Sequence, residues 1–507
     1  MEDITGGINT IGKVLRYTAQ TYEDKTAIKY MTAEGLKEHS YRSFYEDSLS
    51  VGAYLKTLCP DKMHIALIAA TNYRFLTAIN ASMLSGNVAV PFAPDIAKEE
   101  AVMLLDDCDA SFVITDFQSF ESADEIFTRC PKVKFVLDIR DDEKFSAIYS
   151  RECVDEIYLD IFDEKDETAA IIYTSGTTGR RKGAVLSSYA LVSNIFFKEM
   201  NFEGDNVALN VLPLHHIFSF SCDYLKNLKD GVTICLNLEK SRIFNDFLTF
   251  EPSVVRLVPM IFDAMCRRVR MIRKRRKDLS PREAAEQVFG RRLHSVIISG
   301  AAFSPEAETE FVEMGLEVRQ GYGMTETGPR IAVPDGKTCI QSGGRVISIC
   351  QARIVDGEIQ VKSPSLMTGY YKLPKETEEV FTEDGYLRTG DLGRLTEDNE
   401  LFITGRIKNV IILSNGENVS PEEIEIKYVV NPLVREIIVY ENNGGIAAKI
   451  YPDFEYAEKN GINVEEAINE LVRQQNAEDI AAREIDKVEI VNEPLPKTKT
   501  GKILRKL

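Results

Sequence analysis

An apolar run, Ala169-Ala170-Ile171-Ile172-Tyr173, leads into Thr174-Ser175-Gly176-Thr177-Thr178-Gly179-Arg180-Arg181-Lys182, and a second apolar run occupies residues 183–187. Two strand-like segments joined by so polar a loop read as buried strands with a specialised turn between them. The glycines let backbone N–H groups approach an anion, the hydroxyls of Thr174, Ser175, Thr177 and Thr178 donate hydrogen bonds, and Lys182 adds a point charge. This chemistry suits a polyphosphate. The spacing is G-x-x-G-x-x-K with no Ser or Thr after Lys182, so it is not a Walker A loop. A helix is expected only after Ser187, with Leu191, Val192, Ile195 and Phe196 on one face. A second glycine–lysine segment, Gly7-Ile8-Asn9-Thr10-Ile11-Gly12-Lys13-Val14, has valine at the hydroxyl position and no strand before it, which argues against phosphate binding there.

A net charge of −18 argues against general binding to nucleic acid. One basic run interrupts it, Arg267-Arg268-Val269-Arg270-Met271-Ile272-Arg273-Lys274-Arg275-Arg276-Lys277. It reads as a solvated helical face, as a docking patch for an acidic partner such as an acyl carrier protein or anionic lipid headgroups, or as a contact for cofactor phosphates. No apolar run reaches the ~18 residues of a membrane span, so no transmembrane segment is expected. Met1-Glu2-Asp3 is no signal-peptide start, and a cytoplasmic location is expected. The nine cysteines are scattered and include no C-x-x-C pair, as befits reduced thiols.

Up to about residue 167, helical patterns alternate with apolar runs such as 65–69 and 111–115, and the acidic stretch 160–167 reads as a linker. Further strands are expected at 207–214, 232–236, 254–258 and 296–299, giving two α/β halves that share an interface, a common place for a pocket. Beyond about residue 345 the texture becomes that of a small β subdomain, with a hairpin turning at Asp356-Gly357. Ser420-Pro421-Glu422-Glu423 marks a helix start with a capping serine and proline at the first helical position. The expected class is α/β: a large N-terminal domain of two α/β subdomains plus a small β subdomain over residues 1–404, and a small α+β C-terminal domain over 409–507.

Several further motifs occur in one order: Pro213-Leu214-His215-His216, Ser299-Gly300-Ala301-Ala302, Gly321-Tyr322-Gly323-Met324-Thr325-Glu326-Thr327, Thr389-Gly390-Asp391, Gly405-Arg406-Ile407-Lys408-Asn409 and Pro496-Lys497-Thr498-Lys499-Thr500-Gly501-Lys502. With the 174–182 loop, the series resembles the adenylate-forming superfamily of acyl- and aryl-CoA synthetases, luciferases and nonribosomal peptide adenylation domains. The resemblance implies two steps. A carboxylate attacks the α-phosphate of ATP to give acyl-AMP and pyrophosphate, and a thiol then takes the acyl group. Two anions must meet in the first step, which requires cations and donors between them.

By the same resemblance, Lys502 is the catalytic lysine bridging carboxylate and α-phosphate, and Thr174, Ser175, Gly176, Thr177, Thr178, Gly179 and Lys182 hold the β- and γ-phosphates. Glu326, with Thr174 as companion, holds Mg²⁺. Tyr322 stacks on adenine within the ATP-binding segment that includes Gly323, Met324 and Thr325, and Gly300, Ala301 and Ala302 let the purine lie against backbone. Asp391 accepts from the ribose hydroxyls, and Arg406 binds ribose or phosphate. Residues 405–408 form a hinge, with Lys408 at its pivot, about which a mobile C-terminal domain presents and withdraws Lys502.

Two departures stand out: Arg181 takes the place of a usual proline, and Asn409 that of a usual acid. The chain ends soon after Lys502, as expected of a free-standing enzyme. His216, Phe218 and Ser299 are placed at the acyl pocket, whose apolar character around Phe218 and Phe220 points to a fatty or other hydrophobic acid and looks closest to fatty-acyl-CoA synthetases. Asp223 is a candidate partner for a substrate ammonium, with a surface or helix-face role favoured. The leading expectation is an acid–thiol ligase using ATP, Mg²⁺ and CoA. The alternatives are an enzyme loading an amino, aryl or fatty acid onto a phosphopantetheine carrier, and a nucleotide-binding pseudoenzyme, against which the intact set Lys182, Glu326, Asp391, Arg406 and Lys502 argues.

Overall fold

The computed structural model describes residues 5–58, 61–150, 166–174, 181–197, 206–298, 310–335, 342–413, 418–429, 431–478, 484–497 and 503–505. Among these, the N-terminal portion is organised by two seven-stranded sheets. One runs, in spatial order, Gly369–Tyr370, Lys182–Ser187, Thr168–Thr174, Val88–Phe92, His64–Ile68, Ala110–Thr115, Phe135–Asp138. Its strands from Thr168–Thr174 to Phe135–Asp138 are parallel, and Val88–Phe92 is buried along its whole length, as expected where helices cover both faces. The two strands flanking the polar loop pair antiparallel, with Thr174 opposite Lys182.

The second sheet runs Glu317–Gln320, Ser295–Ile298, Val254–Leu257, Val207–Asn210, Thr233–Leu236, Thr26–Thr32, Gly35–Ser40. This corrects the expected partition of the chain. The first long strand belongs not to the half that follows it in sequence but to the second sheet, where Ile28 lies beside Ile234. The strands 168–174 and 182–187, in turn, extend the first sheet. Strand pattern reports burial but not the partner, which long-range packing decides. The acidic stretch 160–167 lies mostly outside the described residues.

The helix Ser188–Phe196 opens on Ser187, whose hydroxyl accepts from Ala190 N, and it buries Leu191, Val192 and Ile195. In the glycine–lysine segment near the N-terminus, Thr10 caps the helix Ile11–Tyr22 and Ile11 N donates to Ser188 Oγ at 2.8 Å, so that segment serves packing. The hairpin of Gln351–Val355 and Glu358–Lys362 turns on Asp356 (φ 51°) and Gly357 (φ 81°), the two positive angles a tight two-residue turn demands.

After the strand Leu401–Arg406, a short turn at Ile407–Asn409 leads to a separate unit: a sheet of Val434–Asn442, Gly445–Pro452 and Lys487–Ile490 with helices Pro421–Val429, Phe454–Asn460 and Val464–Glu478. It has its own core, including Ile424, Tyr428, Ile437, Ile450 and Ile468. The Ser420 hydroxyl donates to Thr404 O at 2.7 Å. A Cβ on Gly405 would fall 2.0 Å from Ser420 Oγ, so glycine permits this close approach at the junction. Among the described residues no helix is long and apolar enough to cross a membrane.

Candidate active site

A single tight turn supplies both halves of the site. Tyr322 and Gly323 form a short strand that pairs with Arg330–Val333, and Thr325–Thr327 follows as a turn of 3₁₀ helix. A Cβ on Gly323 would meet Pro329 O at 1.9 Å, so only glycine fits the turn. Thr327 locks it further, donating to Pro329 O at 2.6 Å while its own carbonyl accepts from Ser365 Oγ at 2.8 Å.

On one side of this turn, the Tyr322 hydroxyl donates to Asp391 Oδ2 at 2.7 Å. Arg406, paired with Asp391 across the Leu387–Leu395 and Leu401–Arg406 strands, puts Nε 3.0 Å from Asp391 Oδ1. Asp391 is buried and Arg406 exposed. Burial first, and then the Asp391 charge, push the Tyr322 phenol far above its ordinary range, so it stays a donor. A carboxylate has about four acceptor positions, which leaves Asp391 capacity for further donors.

On the other side stands Glu326, 8% exposed. Tyr370 donates to Glu326 Oε1 at 2.8 Å, and the Lys182 ammonium lies 4.8 Å from the centroid of the Tyr370 ring. Burial and the Glu326 charge raise the Tyr370 pKa. Tyr370 reaches this position because the strand Gly369–Tyr370 adds to the sheet edge with Tyr370 opposite Ala184. Thr174 Oγ1 donates to Lys182 O at 3.3 Å, closing the base of the loop. Arg181 Nε sits 2.5 Å from Glu100 Oε1. The arrangement therefore offers two buried acids, each accepting from an aromatic hydroxyl, with a lysine over the ring of the second tyrosine. Oxygen donors such as Glu326 and Thr174 match the hard-ligand preference of Mg²⁺.

A family model for the AMP-binding enzyme matches residues 15–371, and another for the AMP-binding enzyme C-terminal domain matches residues 408–507. The chain belongs to the AMP-binding enzyme family. This AMP-binding enzyme is 28% identical to 4-coumarate–CoA ligase 3 of Oryza sativa subsp. japonica over 381 residues, 69% of this chain and 65% of that protein. It is 27% identical to 2-succinylbenzoate–CoA ligase of Bacillus cereus over 504 residues, 95% of each. In fold it is similar to ATP-bound MatB from Rhodopseudomonas palustris, with a TM-score of 0.81 at 23% identity over 97% of each chain.

In this AMP-binding enzyme Met324 and Thr325 lie within the same turn as Tyr322, Gly323 and Glu326. His216 is exposed to solvent, and desolvation by the surrounding protein and then the Arg181 charge lower its pKa. Phe218 opens a π-helix, Phe218–Leu225, a wide turn often found at functional sites. Lys408 is exposed on the Ile407–Asn409 turn. Asn409, in place of an acid, donates to Glu422 Oε1 at 2.5 Å. Ser175, Gly176, Thr177, Thr178, Gly179, Ser299, Gly300, Ala301, Ala302 and Lys502 lie outside the described residues. The chain on either side of the last of these is closely paired: Lys497 bridges Ile503, Leu504 N donates to Pro496 O at 2.8 Å, and Arg505 grips Glu425 at 2.6 and 2.9 Å.

One reading needs correction. Asp223 is not on the surface: it is fully buried, accepts from Asn210 at 2.6 Å, and stands 3.5 Å from Arg256, itself 1% exposed. A buried arginine requires such a partner, which takes Asp223 out of contention for a substrate ammonium. Lys497 pairs with Glu436 at 2.6 Å. Tyr370, which links Lys182 to Glu326, was not anticipated. It lies in no motif, and only the pairing of a very short strand brings it to the loop.

Proposed function

We propose that this AMP-binding enzyme is an ATP-dependent acid–thiol ligase acting on a hydrophobic carboxylic acid. The observation that carries the reading is the turn 322–327, which holds Tyr322 against Asp391 and Glu326 against Tyr370, whose ring faces Lys182. One end suits a nucleoside and the other its phosphates. Asp391 accepts from the ribose hydroxyls with Arg406 beside it, and Tyr322 packs on adenine along the backbone of Gly300, Ala301 and Ala302. Lys182 and the loop from Thr174 to Gly179 bind the β- and γ-phosphates. Glu326 and Thr174 would hold Mg²⁺, which supplies neutralisation of phosphate charge.

The acid lies between His216, Phe218 and Ser299, and its carboxylate oxygen attacks the α-phosphorus. The bond to the pyrophosphate oxygen breaks as the new P–O bond forms. Lys502 stands between the two anions in that step, where a preorganised cation lowers the barrier most. The C-terminal unit then turns about residues 405–408, a thiolate attacks the acyl carbonyl, and AMP leaves with its phosphate oxygen. CoA is the proposed thiol.

Acid-dependent exchange of labelled pyrophosphate into ATP, over a panel of fatty, aryl and amino acids, tests the reading. Hydrophobic acids are expected to support exchange, with CoA then taking the acyl group in preference to a carrier protein. Exchange with amino acids alone would overturn the assignment of the acid.

A further inference from the structure

The basic run lies on the outer face of the helix Pro259–Arg275 and the turn after it. Arg270, Met271, Arg273, Lys274 and Lys277 line a recess of about 540 Å³, and Lys459, from the helix Phe454–Asn460 of the C-terminal unit, completes it from across the junction. Five of its six lining side chains are cationic and none is acidic. Arg270 is matched by Glu310 at 2.9 Å, while Arg273, Lys274, Lys277 and Lys459 have no ion-pair partner among the described residues. Like charges gathered this closely repel one another, and a multivalent anion converts the repulsion into binding.

The shape selects among anions. A helix that lies on a membrane presents an apolar face to it, but here the apolar side chains Phe262, Met265, Cys266 and Val269 are buried in the core, and among the described side chains of the helix Met271 is the one exposed large apolar group. A protein partner covers a broad face of about 800 Å². An open recess lined by five cations fits a compact polyanion instead. We propose that it binds a soluble molecule carrying clustered phosphates, and that because Lys459 belongs to one unit and the other cations to the second, the bound ligand favours this arrangement of the two. The site is separate from the turn 322–327 and stands on different observations from the ligase reading.

Inorganic tripolyphosphate is titrated into the full chain carrying Lys182→Ala, which silences the phosphate loop, and the heat of binding is followed. The expected result is salt-sensitive binding at one site, weakened about tenfold or more by Lys459→Glu and by Lys274→Glu/Lys277→Glu, and less by Lys459→Gln. Displacement by CoA but not by dephospho-CoA would identify a 3′-phosphorylated nucleotide as the source; equal displacement by ATP would identify free nucleotide. Binding unaffected by the charge reversals overturns the proposal, as does binding of phosphatidylserine vesicles without tripolyphosphate. The recess variants are scored on binding and the ligase reading on pyrophosphate exchange, so failure of one is told apart from failure of the other.

Discussion

Tyr322 donates its phenolic hydrogen to Asp391 across 2.7 Å, on the carboxylate oxygen opposite the one that Arg406 approaches to 3.0 Å. The pair fixes the acid before any ligand arrives. Removing the hydroxyl in Tyr322→Phe keeps the ring and loses a hydrogen bond to a charged group. The KM for ATP is expected to rise about tenfold, equivalent to ~1.4 kcal/mol, with a smaller change in kcat. Steady-state kinetics at saturating acid check this.

Tyr370 serves two neighbours at once, a carboxylate through its hydroxyl and a lysine through its ring. Tyr370→Phe removes only the first role, and the Mg²⁺ concentration for half-maximal exchange is expected to rise several-fold. Tyr370→Leu removes both, adding the loss of a cation–π contact of about 0.5–2 kcal/mol, and the KM for ATP is expected to rise as well. Magnesium and ATP titrations of the two variants separate the roles.

Asp223, on the π-helix Phe218–Leu225, and Arg256 face each other at 3.5 Å, with Asn210 and Asn227 closing the network at 2.6 and 3.0 Å. Removing one member strands a buried charge. Arg256→Met is expected to cost about 3–5 kcal/mol in chemical denaturation, while the double variant Arg256→Met/Asp223→Leu recovers a large part of it.

Much of this was legible in the sequence, and the limits have physical causes. The hairpin at Asp356-Gly357 and the helix start at Ser187 are local, set by turn chemistry and capping, and they stand where the residues indicated. The motif residues Tyr322, Glu326, Asp391 and Arg406 converge because each lies in or beside a short strand or turn. What the sequence could not display was register. Tyr370 reaches Lys182 only through the pairing of Gly369–Tyr370 at a sheet edge, and Thr26–Thr32 crosses to the sheet that follows it much later in the chain. Arg256 did carry a signal. An arginine inside the apolar strand Val254–Leu257 must find a buried acid, and Asp223 is that acid.

His39 stacks on Tyr73 with ring centroids 3.6 Å apart, and burial pulls its pKa from 6.5 down to about 4. Between those values the unfolded chain binds a proton that the folded chain does not, so stability falls as pH drops from 6.5 toward 4 and is unaffected by this group above it. The difference in thermal midpoint between the natural protein and His39→Gln is expected to shrink as pH is lowered from about 7 to 5. Scanning calorimetry across that range checks the sign.

The central claim is that Lys502 brings an acid and the α-phosphate of ATP together. It is tested most directly by separating the half-reactions in Lys502→Ala. The expected result is a loss of acid-dependent pyrophosphate exchange of about a hundredfold or more, with transfer from supplied acyl-AMP to CoA largely retained. Exchange at the rate of the natural protein in that variant would contradict the account.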